Sequence, residues 1–306
     1  MPGESILQGD VLIALANSTA LLLAVIASSQ CVAEEYVRPE LLVEPSELWA
    51  WFNNDVPHVL INVHADDASG TALLRARSIN IGDWRRAFGD GTDEAAWTER
   101  LQSLVPSATV PVVVYDHGLT PNAARAWWVL KYWGLEDVRL LNGGLKAWRA
   151  SGLPVESVHF EYQDSTFVAT ANPERLATRA EVLGIVDGGE TAACLVDTRS
   201  PAEVIWGIIP SAKHSNWVHY VDPATGKMRS ADELAVLLDE VGFEVDQSAV
   251  AYCRSGGRAS VVAFAMELMG GRRVANYFSS WNDWRSDPSA PVGPVSVQQL
   301  PAETKP

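Results

Sequence analysis

Cysteine is scarce in this chain. Cys31, Cys194 and Cys253 are the only three among 306 residues. An odd number at irregular spacing makes no disulfide framework, and without a Cys-x-x-Cys pair there is no zinc-ligand signature. Free thiols are the expectation. Positive charge is also in deficit: 23 Lys and Arg stand against 38 Asp and Glu, for a net charge of −15. That excludes the basic footprint of a general nucleic-acid binder. It leaves small anionic substrates open, because these respond to the local field of a pocket. Six histidines are scattered; His214 and His219 are neighbours in sequence but lack further ligands, so they read as surface residues and no metal is expected.

A long apolar run is nearly absent too. Val11–Ala27 (VLIALANSTALLLAVIA) is interrupted by Asn17, Ser18 and Thr19, and is short of the roughly 20 apolar residues of a membrane span. It is followed by SSQCVAEEY, in which Cys31-Val-Ala33 offers a small-residue cleavage site. Residues 1–36 therefore read as a signal peptide. This implies a periplasmic or otherwise exported protein without stable membrane association once the segment is removed. The first ten residues hold Glu4 and Asp10 and no Lys or Arg. An uncleaved anchor, a mis-set start or a buried N-terminal helix in a cytoplasmic protein is the alternative. Gln30 before Cys31 gives no lipoprotein context.

What is present is enough hydrophobic material for two cores: 47% hydrophobic against 20% charged residues, a globular composition. The chain also repeats itself. VVVYDHGLTPNAARAWWVLKYWG (112–134) matches VAYCRSGGRASVVAFAMELMGG (250–271): a β-rich run, a Tyr, a turn, then an Ala-rich helix ending at Gly. LLNGGLKAWRASGLPV (140–155) matches YFSSWNDWRSDPSAPV (277–292), each with Trp-Arg and a Pro. HVLINVHA (58–65) matches ACLVDTRS (193–200), and each is followed by a strand-like piece, 77–80 and 209–212. The chain is thus a tandem of two α/β domains of about 115 residues, a common domain size. They span 37–153 and 172–292, with a linker at 154–171 and a Pro-rich flexible tail at 293–306. Short apolar strands alternating with helices imply mostly parallel sheets covered by helices on both faces.

The chemistry concentrates at VAYCRSGGRAS, 250–260. Gly256 and Gly257 let the backbone curl, and a helix is expected from near Ala259. Successive N–H groups at a helix start form a nest for an anion, which favours a thiolate there. Arg254 and Arg258 add positive charge. Cys253 is the nucleophile candidate, with Arg254, Ser255, Gly256, Gly257 and Arg258 as the loop that would hold its product. Cys194 precedes Leu-Val-Asp within an apolar strand and reads as core.

This loop, the strand-end Asp-Thr-Arg at 197–199, the repeated Trp-Arg endings (148–149 and 284–285) and the tandem organisation resemble the rhodanese family of two-domain sulfurtransferases. The resemblance covers nearly everything after residue 37. It implies a tandem rhodanese-like α/β fold and a persulfide mechanism. The Cys253 thiolate takes the outer sulfur of thiosulfate or a related donor, sulfite leaves, and cyanide or a thiol acceptor removes the sulfur. No metal or organic cofactor is implied. The partners are a small anionic sulfur donor and a thiophilic acceptor, with a protein thiol as a further possibility. Cysteine phosphatases place five residues between Cys and Arg; here Arg258 follows after four, and Ala259 stands where Arg should, so the cradle suits one sulfur atom better than a tetrahedral oxyanion.

Within the family, mercaptopyruvate-specific members tend to carry Cys-Gly-Ser-Gly, whereas thiosulfate users carry Cys-Arg and another basic residue. Arg254 therefore favours thiosulfate, with 3-mercaptopyruvate as second choice. Arg258 reads either as the second substrate charge, which is favoured, or as a clamp. Some thiosulfate enzymes place a further Arg a few residues past Asp-x-Arg; DTRSPAEVIWG (197–207) has none. Asp197 and Arg199 read first as an ion pair tying the sheet end to the loop.

In the N-terminal copy, Asp116 occupies the position of Cys253 and Asn62 that of Asp197. A carboxylate cannot carry a sulfane sulfur, so this domain is predicted to be catalytically silent and to pack against its partner. Asp116, His117 and Arg125 read as a polar turn and helix cap. Trp127, Trp128 and Trp133 read as packing, and Trp217 and Trp281 as a shield for the cysteine. Two readings compete with a sulfurtransferase. One is a persulfide carrier or redox-sensing module supplied by a protein. The other is a non-catalytic scaffold, which the intact Cys-Arg loop disfavours.

Overall fold

The computed structural model describes residues 35–64, 73, 75–155, 165–189 and 193–294. Nearly all of the expected signal segment, the first part of the linker and most of the tail lie outside the described residues. In chain order the N-terminal domain contains β1 (Leu42–Val43), α1 (Pro45–Asn53), β2 (Val59–His64), β3 (Arg77–Asn80), α2 (Ile81–Phe88), α3 (Glu94–Gln102), β4 (Val112–Tyr115), α4 (Pro121–Tyr132), β5 (Val138–Leu141) and α5 (Gly144–Ala150). The C-terminal domain contains α6 (Arg179–Val186), β6 (Ala193–Asp197), α7 (Pro201–Val204), β7 (Lys213–His214), α8 (Ala231–Glu240), β8 (Ser248–Tyr252), α9 (Gly257–Leu268), β9 (Arg273–Asn276) and α10 (Ser280–Trp284).

Each domain is built on one parallel sheet, ordered β1-β5-β4-β2-β3 in the first and β7-β6-β8-β9 in the second. The central strands β4 and β8 are apolar at nearly every position because both faces are covered. In β4, Val112 and Val114 face one core while Val113 and Tyr115 face another. In β8, Ala249 and Ala251 face one core while Val250 and Tyr252 face the other. Helix starts follow local chemistry: Thr120 caps α4, with Pro121 in its first turn, and Thr178 and Ser230 close capping boxes on α6 and α8.

The repeat is visible in matching contacts. Asn62 pairs with Tyr115 as Asp197 pairs with Tyr252. The Tyr115 hydroxyl accepts from Leu73 N–H, and the Tyr252 hydroxyl from Ile209 N–H. The Trp148 indole donates to the Pro154 carbonyl, and the Trp284 indole to the Pro291 carbonyl, each at 2.9 Å. This last pair accounts for the recurring Trp-Arg and Pro.

Two expected boundaries are corrected. The strand-like piece at 209–212 is a turn, because Pro210 has no N–H for a ladder and Ser211 adopts a φ of 66°. The edge strand is β7, immediately after it. Helix α9 starts at Gly257, two residues before the expected place, because Gly256 at φ 85° already turns the chain. The second half of the linker lies on the first domain: Thr166 and Asn172 N–H groups donate to the Pro106 and Tyr132 carbonyls, and Phe167 and Ala169 are buried. Among the described residues no helix is long and apolar enough to cross a membrane.

Helices α4 and α9 pack face to face between the domains. Trp127 meets Phe264 edge-on at 4.8 Å, and Trp128 stacks on Phe278 at 5.0 Å. A single buried cluster runs through both domains at this contact. Trp127→Ala should therefore cost about 3–5 kcal/mol. Wild type should lose far-ultraviolet ellipticity and tryptophan fluorescence in one coincident urea transition. Two separate transitions would show that the domains fold apart.

Candidate active site

Cys253 follows β8 directly and is 1% exposed. Its Sγ accepts from the Ser255 N–H at 3.4 Å. The chain then passes Gly256 and enters α9, whose internal ladder begins with the Ser260 N–H on the Gly256 carbonyl. The N–H groups of Gly257, Arg258 and Ala259 thus lie in the first helical turn, ahead of the ladder, where an anion is favoured.

The loop is held from behind by Ser280, a residue outside the expected set. Its hydroxyl accepts from the Cys253 N–H at 3.1 Å and the Gly256 N–H at 3.2 Å, and donates to the Tyr277 carbonyl. Ser280 is fully buried at φ 56°, a conformation that costs a non-glycine residue of order 1–3 kcal/mol. The equivalent in the N-terminal domain is Gly144 at φ 54°. Leu145 N–H donates to the Asp116 carbonyl as Trp281 N–H donates to that of Cys253. The sequence signal was the Gly144–Ser280 pairing within the matched segments, where a glycine turn is replaced by serine.

Asp197 and Arg199 form a buried ion pair, Nη2 to Oδ2 at 2.6 Å; Arg199 also donates to the Gly207 carbonyl and lies 4.0 Å from the Trp281 ring. The pair ties the end of β6 to the following loop. Arg258 is engaged as well: both terminal nitrogens bond the Glu203 carboxylate. The favoured expectation of a free substrate charge gives way to the clamp, because Glu203 at the third position of α7 reaches it. Arg258 holds the Glu203 carboxyl down to about 2, against the smaller effect of burial. Arg254 is exposed and lines a groove of about 510 Å³ with Trp206, Trp281 and Arg285. Trp281 borders the site; half-buried Trp217 packs on the main core instead. Cys194 is the contrasting thiol, donating to the Val241 carbonyl at 3.3 Å, with burial raising it to about 11.

In the N-terminal copy the Asp116 carboxyl group occupies the matching place. It accepts from Gly118, Thr120 and Ala123 N–H groups and from the Thr120 hydroxyl. Burial pushes its carboxyl up and these donors pull it back. Arg125, expected to belong to that turn, instead reaches the other domain, where its Nη2 donates to the Ser255 carbonyl at 2.9 Å.

Glu203 is a carboxylate with a depressed folded-state pKa. Its stabilising contribution is complete above the unfolded value near 4.5 and disappears as pH falls toward about 2. The stability gap between wild type and Glu203→Gln should therefore close on acidification between about pH 5 and pH 2, as read from urea midpoints. A gap that widened would contradict the ion pair.

The model of the Rhodanese-like domain matches residues 44–151 and 178–287. The chain is 32% identical over 281 residues to the sulfur carrier protein TtuD of Thermus thermophilus, covering 84% of this chain and 98% of the relative. It is 35% identical over 269 residues to a protein of Haloferax volcanii provisionally named a thiosulfate sulfurtransferase, covering 81% and 92%. The crystal structure of SseA from Escherichia coli, studied for the mechanism of 3-mercaptopyruvate sulfotransferases, shares its fold, with a TM-score of 0.67 at 24% identity over 79% of this chain and 98% of that one. With two matching domains in tandem, the chain belongs to the rhodanese family of sulfurtransferases.

Proposed function

We propose that the protein is a thiosulfate sulfurtransferase working through a persulfide on Cys253. The observation that carries this is the position of Cys253 Sγ, which accepts from the Ser255 N–H just before the first turn of α9, ahead of the helix ladder. The thiolate attacks the outer sulfur of the donor, the new S–S bond forms, and sulfite departs with the electron pair of the bond it loses. The terminal persulfide sulfur is then an anion at a helix start, the environment that stabilises it. Cyanide or a thiolate attacks that sulfur and releases the Cys253 thiolate, so the cycle closes without a cofactor. Arg254, exposed directly after the cysteine, supports an inorganic anion over 3-mercaptopyruvate, the second choice of donor. The apolar stretch at 11–27 supports a periplasmic setting.

A protein-fed carrier is the second reading. Trp206 is 80% exposed at the rim of the groove that Arg254 lines, which suits a protein donor or acceptor, and the Thermus relative is named a sulfur carrier.

Thiocyanate production from cyanide should be supported by thiosulfate more than by 3-mercaptopyruvate, and should fall at least about a thousandfold in Cys253→Ser. A mercaptopyruvate preference would remove Arg254 as the determinant of donor choice. No turnover with either donor, from a protein whose Cys253 is alkylated readily, would favour the carrier.

A further inference from the structure

Arg125 is a half-buried cation with no carboxylate partner among the described residues. It projects from α4 of the silent domain, and its Nη2 is spent on the Ser255 carbonyl. Its Nε is buried with no hydrogen-bond partner. Among the described residues it forms no ion pair with a carboxylate. It lies hard against the cysteine loop: a Cβ on Gly257 would stand 2.4 Å from Arg125 Nη2. Gly257 therefore gives the guanidinium room.

The charges around Arg125 are unusual for a buried group. Burial, helped by Arg85 and Arg258, lowers its pKa to about 10, and Cys253 is the neighbour that favours its charge. It remains cationic at neutral pH. A buried cation is ordinarily paired, because leaving one unpaired is costly. Arg258 also faces Cys253, but its charge is balanced by Glu203, which takes both of its terminal nitrogens. The segment after Asp197-Thr-Arg199 supplies no basic residue before Gly207. The unneutralised cation bordering the loop from inside the interface is thus the one brought by the other domain.

We propose that Arg125 binds the anionic end of the sulfur donor while Cys253 takes its outer sulfur. The silent domain thereby supplies the specificity-determining residue of the active one. This rests on the sulfurtransferase reading. The donor class is an oxyanion joined to a sulfane sulfur. As the Cys253 thiolate forms its bond to that sulfur, the donor's S–S bond breaks and its electron pair leaves on the oxyanion, with total charge unchanged. The guanidinium meets the charge that grows on the leaving group. Arg85, exposed on α2 of the same domain, strengthens the positive field at longer range.

The test uses the full chain as wild type, Arg125→Gln and Arg125→Lys. Alkylation of Cys253 by iodoacetate and by iodoacetamide is followed by peptide mass mapping. Both reagents meet the same thiolate, so their rate ratio reads local charge and cancels general effects on the loop. Arg125→Gln should lower the iodoacetate-to-iodoacetamide ratio about tenfold or more and slow single-turnover sulfur loading from thiosulfate by about 10- to 100-fold. Arg125→Lys should keep most of the alkylation ratio. Thiosulfate loading that falls while the ratio stays fixed in Arg125→Gln would make Arg125 a structural prop and overturn the inference alone. A wild type that shows the charge preference yet takes no sulfur from thiosulfate or 3-mercaptopyruvate would overturn the sulfurtransferase reading, and the donor assignment with it.

Discussion

The contact between α4 and α9 is the constraint on which the site depends. Each helix leaves the end of a central strand, and each would otherwise expose an apolar face. Trp127 against Phe264 and Trp128 against Phe278 merge the two cores into one. A dry contact of this size holds the two helix starts at a fixed separation. The same geometry sets the Arg125 guanidinium against the backbone of the cysteine loop. Packing energy, which carries no chemical information, is thereby turned into the placement of a charge.

The two copies build the same scaffold around two different side chains. Both place a residue after the Tyr of the central strand at the entrance to a helix, and both bind its carbonyl from the turn that follows the next strand. In the N-terminal copy the Asp116 carboxyl group fills this place itself and accepts from the local N–H groups. The cradle is closed by its own side chain. In the other copy the side chain is shortened to a thiol, and the donors ahead of the α9 ladder remain for an incoming anion. The relaxed Gly144 becomes Ser280, whose hydroxyl supports the loop at the expense of backbone strain. Strain is concentrated where the loop must keep its shape without a carboxylate to fill it.

How far this was legible depends on the range of the interactions. β3 coincides with the expected 77–80 piece, and the tandem organisation, both central strands and the cysteine loop all follow from local pattern, because apolar runs, Gly pairs and a repeated Trp-Arg are local signals. The edge strand β7 was displaced because two residues carry too little pattern to outweigh Pro210 and Ser211. Arg258 was assigned to substrate because its partner Glu203 lies 55 residues away. Arg125 was assigned to a local turn because the group it touches is 130 residues away in another domain. Pairings at that separation are set by how the sheets dock, and no spacing rule in one copy contains them.

The electrostatics show why such placement matters in a chain with a net charge of −15. An anionic donor is repelled at long range, and beyond roughly 10 Å salt screens much of that repulsion. Selection must then come from charges close to the reacting sulfur, where the surroundings are drier and each cation acts more strongly. Of the cations at the loop, Arg258 is neutralised by Glu203, and Arg254 faces solvent in the groove. Arg125 is half enclosed, oriented by the Ser255 carbonyl and left without a counter-ion. A cation bound to a carboxylate mainly stabilises the loop. A cation kept unpaired inside the interface costs stability until an anion arrives, so it favours occupation of the site by charge of the opposite sign. Separating those two tasks between Arg258 and Arg125 lets the loop be rigid and the site remain receptive.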